Sequence, residues 1–218
     1  MKFSLPNNRT VGLTLVELLV VIVVLALIGA FALTALSPAR SRGSRINCIN
    51  NLKQVVLSFR LWSGDNGDKY PMQVSVTNGG TMELVRSGIV FPNFQVMSNE
   101  LSTPKILICP EDKQRIAATN FTTDFNNSRV SFFVGLDADV TKTSMLLSGD
   151  RNLTANGIVV RSRLVTLTTN SVAGWTSQIH SNCGNIGLSD GHVEQVTAAG
   201  LQKLIAKTGV ATNRLVLP

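Results

Sequence analysis

GLTLVELLVV, residues 12–21, sets a carboxylate, Glu17, at the mouth of an apolar run, and residues 18–33 continue that run with nothing more polar than Gly29. A carboxylate at the centre of a membrane helix costs on the order of 2.5–3.5 kcal/mol on insertion scales, and less near the helix end, where it can reach the interface. A bilayer core of about 30 Å needs about 20 apolar residues in a helix. Residues 18–36 nearly suffice, and a start at Leu13 gives room for tilt. A transmembrane segment carrying one charge is therefore expected.

The chain has 218 residues, enough for one sizeable domain plus an anchor or for two small domains. Its mean hydropathy of +0.21 is high for a soluble protein, and the excess lies near the N-terminus. Lys and Arg outnumber Asp and Glu by 20 to 13. Lys2 and Arg9 precede the apolar run and Arg40, Arg42 and Arg45 follow it, a placement suited to lipid headgroups or to orientation. By charge count alone the orientation is ambiguous or reversed. With 6% aromatics and no basic stripe interleaved with them, nucleic-acid binding is not expected. Cys48, Cys109 and Cys183 form no metal-type spacing and cannot all pair. With the globular part outside the cytoplasm, Cys109–Cys183 is the candidate bridge and Cys48 is left on a helix; spacing does not report distance, so free thiols stay open.

A conventional secretory signal has a shorter apolar core followed by small residues at the cut. ALTALSPARS, residues 32–41, leaves that alternative open near residues 35–39. The features before the run point elsewhere. A short basic leader, Gly12, a hydrophobic residue and Glu17 fall in one order at fixed spacing. This order resembles the class III signal of type IV pilins and type II secretion pseudopilins, although Leu13 stands where Phe is usual. The resemblance implies that a prepilin peptidase cuts between Gly12 and Leu13 and N-methylates Leu13. It further implies that Glu17, fifth from Leu13, pairs with the new amine of a neighbouring subunit and so sets the stagger between subunits. It places the protein as a single-pass protein of the bacterial inner membrane, with its C-terminal part in the periplasm. Its implied partners are the peptidase, other pilin-like subunits, and an inner-membrane assembly platform with its ATPase.

Pro38 and Gly43 interrupt helical propensity after the run. Ile49, Leu52, Val56 and Phe59 then recur at helical spacing, a core-facing stripe. A helix from Leu13 to Trp62 would be about 75 Å long at about 1.5 Å per residue. GDNGDKYP, residues 64–71, ends it with turn chemistry, and the stretch also resembles the helix end of major pseudopilins. Asp65 with Asp68, and Asp137 with Asp139, are weak calcium-type pairs lacking the fuller oxygen set, and solvated turn residues are the better reading. Residues 72–130 are irregular, with a strand expected near 106–109. RVSFFVGL, SMLLSGD, NGIVV and RLVTLTT read as strands.

Near the C-terminus, NIGL and HVEQV flank Ser189, Asp190 and Gly191 as a hairpin, and Thr197 suits the N-cap of a helix over 198–207. His180, nine residues, then Asp190 and Gly191 resembles the H-x9-DG signature of a large group of pilin-like proteins. NNLKQ, FFVGLDADV and LLSGDRN look like further pieces of that group. A catalytic use of His180 and Asp190 lacks a nucleophile elbow, and two His without HExxH do not suit a zinc enzyme. His180 reads instead as a hydrogen-bonding residue that pins the hairpin, with the Asp190 side chain as a partner.

The expected fold is α+β and pilin-like: a long N-terminal helix, its first half transmembrane, packed on a C-terminal antiparallel β-sheet. The expected divisions are a leader (1–12), a transmembrane half-helix (13–36), an extracytoplasmic half-helix (37–63) and a β-rich domain (64–218). The resemblance implies a structural subunit of a type II secretion pseudopilus or related filament, neither enzyme nor cofactor-binding. A minor type IV pilin for adhesion, motility or DNA uptake, and a membrane-anchored binding module that never polymerises, are the alternatives.

Overall fold

A computed structural model of the chain describes residues 12, 14–161 and 163–218, with the side chains of 32–41 and 85–87 left out of the description. The chain divides into two compact units, Met1–Arg42 and Gly43–Pro218. The first helix, α1 (Leu15–Asp65), contributes residues to both.

In the first unit, α1 opens on a reciprocal cap. The Thr14 N–H and hydroxyl each donate to Glu17 Oε2 at 2.8 Å, and the Glu17 N–H donates back to Thr14 Oγ1 at 3.3 Å. This is the capping-box arrangement, which satisfies donors that a helix start leaves without partners. The Thr14 N–H, and next its hydroxyl, hold the Glu17 carboxyl below its ordinary range. Beyond the cap, residues 15–31 are apolar apart from Glu17 and exposed throughout, from Leu15 at 78% to Phe31 at 76%.

The expectation of a membrane-spanning half-helix is corrected here. Among the described residues, no helix is long and apolar enough to cross a membrane. The described apolar stretch, residues 15–31, measures about 25 Å at about 1.5 Å per residue, short of the about 30 Å hydrocarbon core. The pilin-like fold with a transmembrane first half, and the single-pass inner-membrane placement with a periplasmic domain, fall with it. Leu13 and residues 1–11 of the leader lie outside the described residues, as do the side chains around the break expected at Pro38.

In the second unit, residues 43–65 of α1 bury Cys48, Leu52, Val55, Val56, Phe59 and Trp62, while Leu57 and Leu61 face outward. Asp65 closes the helix, and Gly67 and Asp68 turn the chain through left-handed backbone with φ near 64° and 57°.

Residues 71–129 hold the short helices α2 (Phe91–Gln95) and α3 (Ser98–Leu101) and several 3₁₀ segments, separated by irregular chain. The strand expected near 106–109 is instead a 3₁₀ turn, Pro104–Leu107. Pro104 presets the first helical φ and the Thr103 hydroxyl accepts from the Lys105 N–H, so local chemistry favours a turn over an extended run.

The described residues then form nine strands: β1 (Phe132–Gly135), β2 (Leu146–Asp150), β3 (Leu153–Ala155), β4 (Ile158–Val159), β5 (Arg163–Thr168), β6 (Ala173–Trp175), β7 (Cys183–Leu188), β8 (Val193–Thr197) and β9 (Thr212–Leu217). A six-stranded antiparallel sheet runs β5-β9-β1-β2-β7-β8, and a small sheet runs β4-β3-β6. The large sheet is covered on both faces. Phe132, Val134, Leu147 and Val216 join the core built on α1, whereas Phe133, Leu146, Leu215 and Leu217 join a second core with α4 (Ala198–Lys207). Alternate residues serve opposite cores, which is why these strands read as unbroken apolar runs. Thr197 caps α4 by accepting from the Gly200 N–H.

The helix sits close on the sheet at Gly187 of β7. A Cβ there would lie 2.3 Å from Val56 Cγ2. Gly187→Ala should therefore force α1 off β7 and cost about 1–3 kcal/mol of stability, measured by urea unfolding.

Candidate functional site

Two contacts tie α1 and the segment after it to Ser189, at the end of β7. Arg60 on α1 donates to the Ser189 carbonyl at 2.9 Å, and the Tyr70 hydroxyl donates to the same oxygen at 3.1 Å. In the turn that joins β7 and β8, Asp190 Oδ1 accepts from the His192 N–H at 2.8 Å and Gly191 takes φ near 96°. The hairpin is thus pinned by Arg60 and Tyr70. His180 does not pair with Asp190 as the sequence suggested.

His180 points elsewhere. It lies in the turn after β6, where His180, Ser181 and Asn182 hold φ near 56°, 52° and 63° in succession. A left-handed conformation costs roughly 1–2 kcal/mol for each residue with a Cβ, and three in a row demand compensation nearby. The turn directs the imidazole inward, where it is fully buried with Asp150. His180 Nε2 is 3.2 Å from Cys109 Sγ, 3.4 Å from Asp150 Oδ2 and 3.0 Å from Asn185 Nδ2. Cys48, from α1, donates to Asp150 Oδ1 at 3.6 Å and accepts from Asn185 Nδ2 at 3.4 Å. The Asn185 N–H donates to Asp150 Oδ2 at 2.7 Å.

The ligand atoms of Cys48, Cys109, Asp150 and His180 all lie within 4.8 Å of one another, and all four residues are buried. Each comes from a different segment: α1, the loop after the Pro104–Leu107 turn, the end of β2, and the turn before β7. Burial raises the Cys48 thiol, and burial lifts the Asp150 carboxyl to about 7, with charge on Cys109 adding to it. The neighbouring Cys48 thiol draws the Cys109 thiol down to about 6 against the effect of burial, with His180 contributing. Burial alone would lower His180, but Cys109 and Asp150 outweigh it and its pKa rises. Cys109 and His180 thus each favour the other's charged form. Such a pair is the nucleophile of many cysteine enzymes when a substrate can reach it. A cleft of about 320 Å³ beside Gln114, Arg115, Arg151 and Arg161 includes none of the four.

All three cysteines are free thiols, and Cys109 neighbours Cys48 and His180 in place of the expected Cys183, which is half-buried on β7. Asp137 is held by Arg214, whose Nε donates to Oδ1 at 2.9 Å, and Asp139 accepts from Thr141. Asp65, the last residue of α1, and Asp68, in the turn after it, are both exposed. None of these acids belongs to a convergent group of three or more ligands found among the described residues. Of the N-terminal calls, Gly12 is exposed, Glu17 caps α1, and Leu13 is outside the described residues.

Sequence reading missed the buried quartet because its members share no local spacing: Cys48 and Asp150 are 102 residues apart, and Cys109 and His180 are 71. The reading had assigned His180 to the hairpin and Cys109 to a bridge with Cys183, and Cys48 alone was left without a role. The expected transmembrane helix, periplasmic placement and role as a type II secretion pseudopilin have no support in the described helices. Compared with protein-family models, curated proteins and solved structures, the chain matches none.

Proposed function

We propose that the chain is a structural subunit that assembles into a pilus-like filament through residues 15–31 of α1. One observation carries this: a helical stretch that is apolar on every side and exposed along its whole length. A helix apolar all round is stable when something covers it, and the same stretch of other subunits supplies a matching surface. Glu17 is the one charge within it. Its cap with Thr14 uses Oε2 and leaves carboxylate lone pairs for a neighbouring subunit's amine, freed by cutting between Gly12 and Leu13.

Two substitutions separate the cap from the charge. Glu17→Gln keeps the capping box, in which Gln also serves, and removes the charge. Glu17→Ala removes both and should weaken the helix start by about 0.5–2 kcal/mol. Incorporation into filaments, followed by sedimentation and electron microscopy, should fall about tenfold or more for both variants if a charge pair worth about 1.4 kcal/mol or more sets the stagger. Mass spectrometry of the N-terminus should find N-methylated Leu13 in wild type and in both variants. Full incorporation of Glu17→Gln would reduce Glu17 to a cap and end the pairing.

A further inference from the structure

We propose that Cys48, Cys109, Asp150 and His180 bind one Zn²⁺ in a closed structural site that fastens α1 to the sheet. This goes beyond the filament reading and does not depend on it.

Distances come first. Tetrahedral zinc with Zn–S of about 2.3 Å and Zn–N or Zn–O of about 2.0–2.1 Å sets ligand atoms apart by about 3.4 Å for N with O and about 3.6 Å for S with N or O. With Asp150 Oδ2 as the carboxylate ligand, the structure has 3.4 Å between His180 Nε2 and that oxygen and 3.2 Å between Cys109 Sγ and His180 Nε2, while Cys48 Sγ stands 3.6 Å from the other carboxylate oxygen, Oδ1. All four ligand atoms already lie within 4.8 Å of one another, so the widest pair closes by up to about 1 Å around an ion.

Donor chemistry selects the metal. Two thiolates, an imidazole and one carboxylate suit Zn²⁺, whereas Ca²⁺ and Mg²⁺ require oxygen shells and an iron–sulfur cluster needs more cysteines than converge here. Four protein ligands in a fully buried position leave no open place for water, which is the structural rather than the catalytic type.

The proton balance is simple. Binding expels to solvent whatever protons remain on the two thiols and the Asp150 carboxyl, together with the Nε2 proton of His180 where the ring is charged. His180 coordinates through the Nε2 lone pair as a neutral imidazole, with its proton on Nδ1. The product carries one net negative charge, from three anionic ligands on a dication. Asn185 answers that charge on two sides, its backbone N–H donating to Asp150 Oδ2 and its Nδ2 to Cys48 Sγ. Its present approach to His180 Nε2 gives way when that lone pair turns to the metal. Outer contacts of this kind orient ligands and hold affinity. The left-handed run at His180, Ser181 and Asn182 gains a reason, since it aims the fourth ligand.

The test uses the full chain, purified under reducing conditions, with zinc content read by elemental analysis and the site probed by Co²⁺ substitution. One zinc per chain is expected, together with the visible bands and thiolate charge transfer of tetrahedral cobalt. Cys48→Ser and Cys109→Ser should lower the bound zinc about tenfold or more, and Asn185→Ala should weaken affinity about 10–100-fold while keeping the cobalt spectrum. Cys183→Ser, outside the quartet, should retain full zinc. Should the ligand variants fail to fold, the wild-type chain decides alone: its unfolding midpoint must fall on strong chelation and recover on adding zinc. A folded, reduced chain that takes up neither zinc nor cobalt overturns the site, as does a Cys48–Cys109 disulfide mapped in the native protein. Zinc binding by a chain that forms no filaments would uphold the site and count against the filament alone.

Discussion

Arg151→Ala should destabilise the second unit by about 3 kcal/mol, the lower part of the range for stranding one partner of a buried ion pair. Arg151 Nε and a terminal nitrogen donate to the two oxygens of Asp112 at 2.6 and 2.7 Å, a bidentate fork. The Asp112 side chain is 1% exposed and that of Arg151 12%, so the carboxylate left behind has almost no water to turn to, while partial solvent access at the arginine moderates the loss. Asp112 would keep the Ser131 hydroxyl at 2.9 Å and the Gln114 N–H at 3.2 Å, enough for a neutral group and too little for a charge. Adding Asp112→Asn to Arg151→Ala should accordingly recover part of the loss, a coupling read from the double-mutant cycle. Urea midpoints at constant slope give the values. A loss below about 1 kcal/mol would mean that the pair behaves like one on the surface. Arg151 directly follows Asp150 and its N–H donates to the Ser131 carbonyl at 3.0 Å, so this pair also steadies the end of β2 beside the buried quartet.

Phe59→Ala should be costlier still, about 3–5 kcal/mol, because a wholly buried aromatic leaves both lost transfer energy and a cavity. Phe59 meets Tyr70 edge-on at 6.0 Å and Phe94 at 5.9 Å, so one ring joins α1 to the segment that follows it and to α2. Truncation opens both contacts, each worth about 0.5–1.5 kcal/mol beyond area. A melting temperature lower by about 10 °C is expected for a unit of this size. Leu57, two positions earlier on the same helix and 55% exposed, supplies the contrast: Leu57→Ala should stay within about 0.5 kcal/mol. Equal effects at the two positions would mean that the helix face is misassigned.

Elements that announce themselves locally were legible in the sequence. The stripe of Leu52, Val56 and Phe59, the Thr197 cap of α4 and the Asp190–Gly191 turn each depend on residues within a few positions of one another. Residues 71–129 were not, because Pro and Thr chemistry at single turns outweighs short apolar runs, as at Pro104. The N-terminal stretch was read by its hydrophobicity, while the reciprocal cap of Thr14 and Glu17, a T-x-x-E pattern visible in the chain, went unnoticed. The quartet was hidden for another reason. Its ligands meet only after α1, β2 and β7 have packed, so no window along the chain contains it.

The place of β9 within the large sheet has a consequence for how the protein is made. β9 lies between β5 and β1, and β5, at the edge, has β9 as its neighbour in that sheet. On the ribosome β5 emerges well before the strand that will receive it, while β1 and β2, which pair with each other, are both already made. For that interval the nascent chain presents two open strand edges, which recruit foreign strands readily. The sheet is completed only when its late strand joins β1 and brings β5 in at the edge. Translation speed and chaperone access over residues 163–217 should then govern yield more than the final stability does.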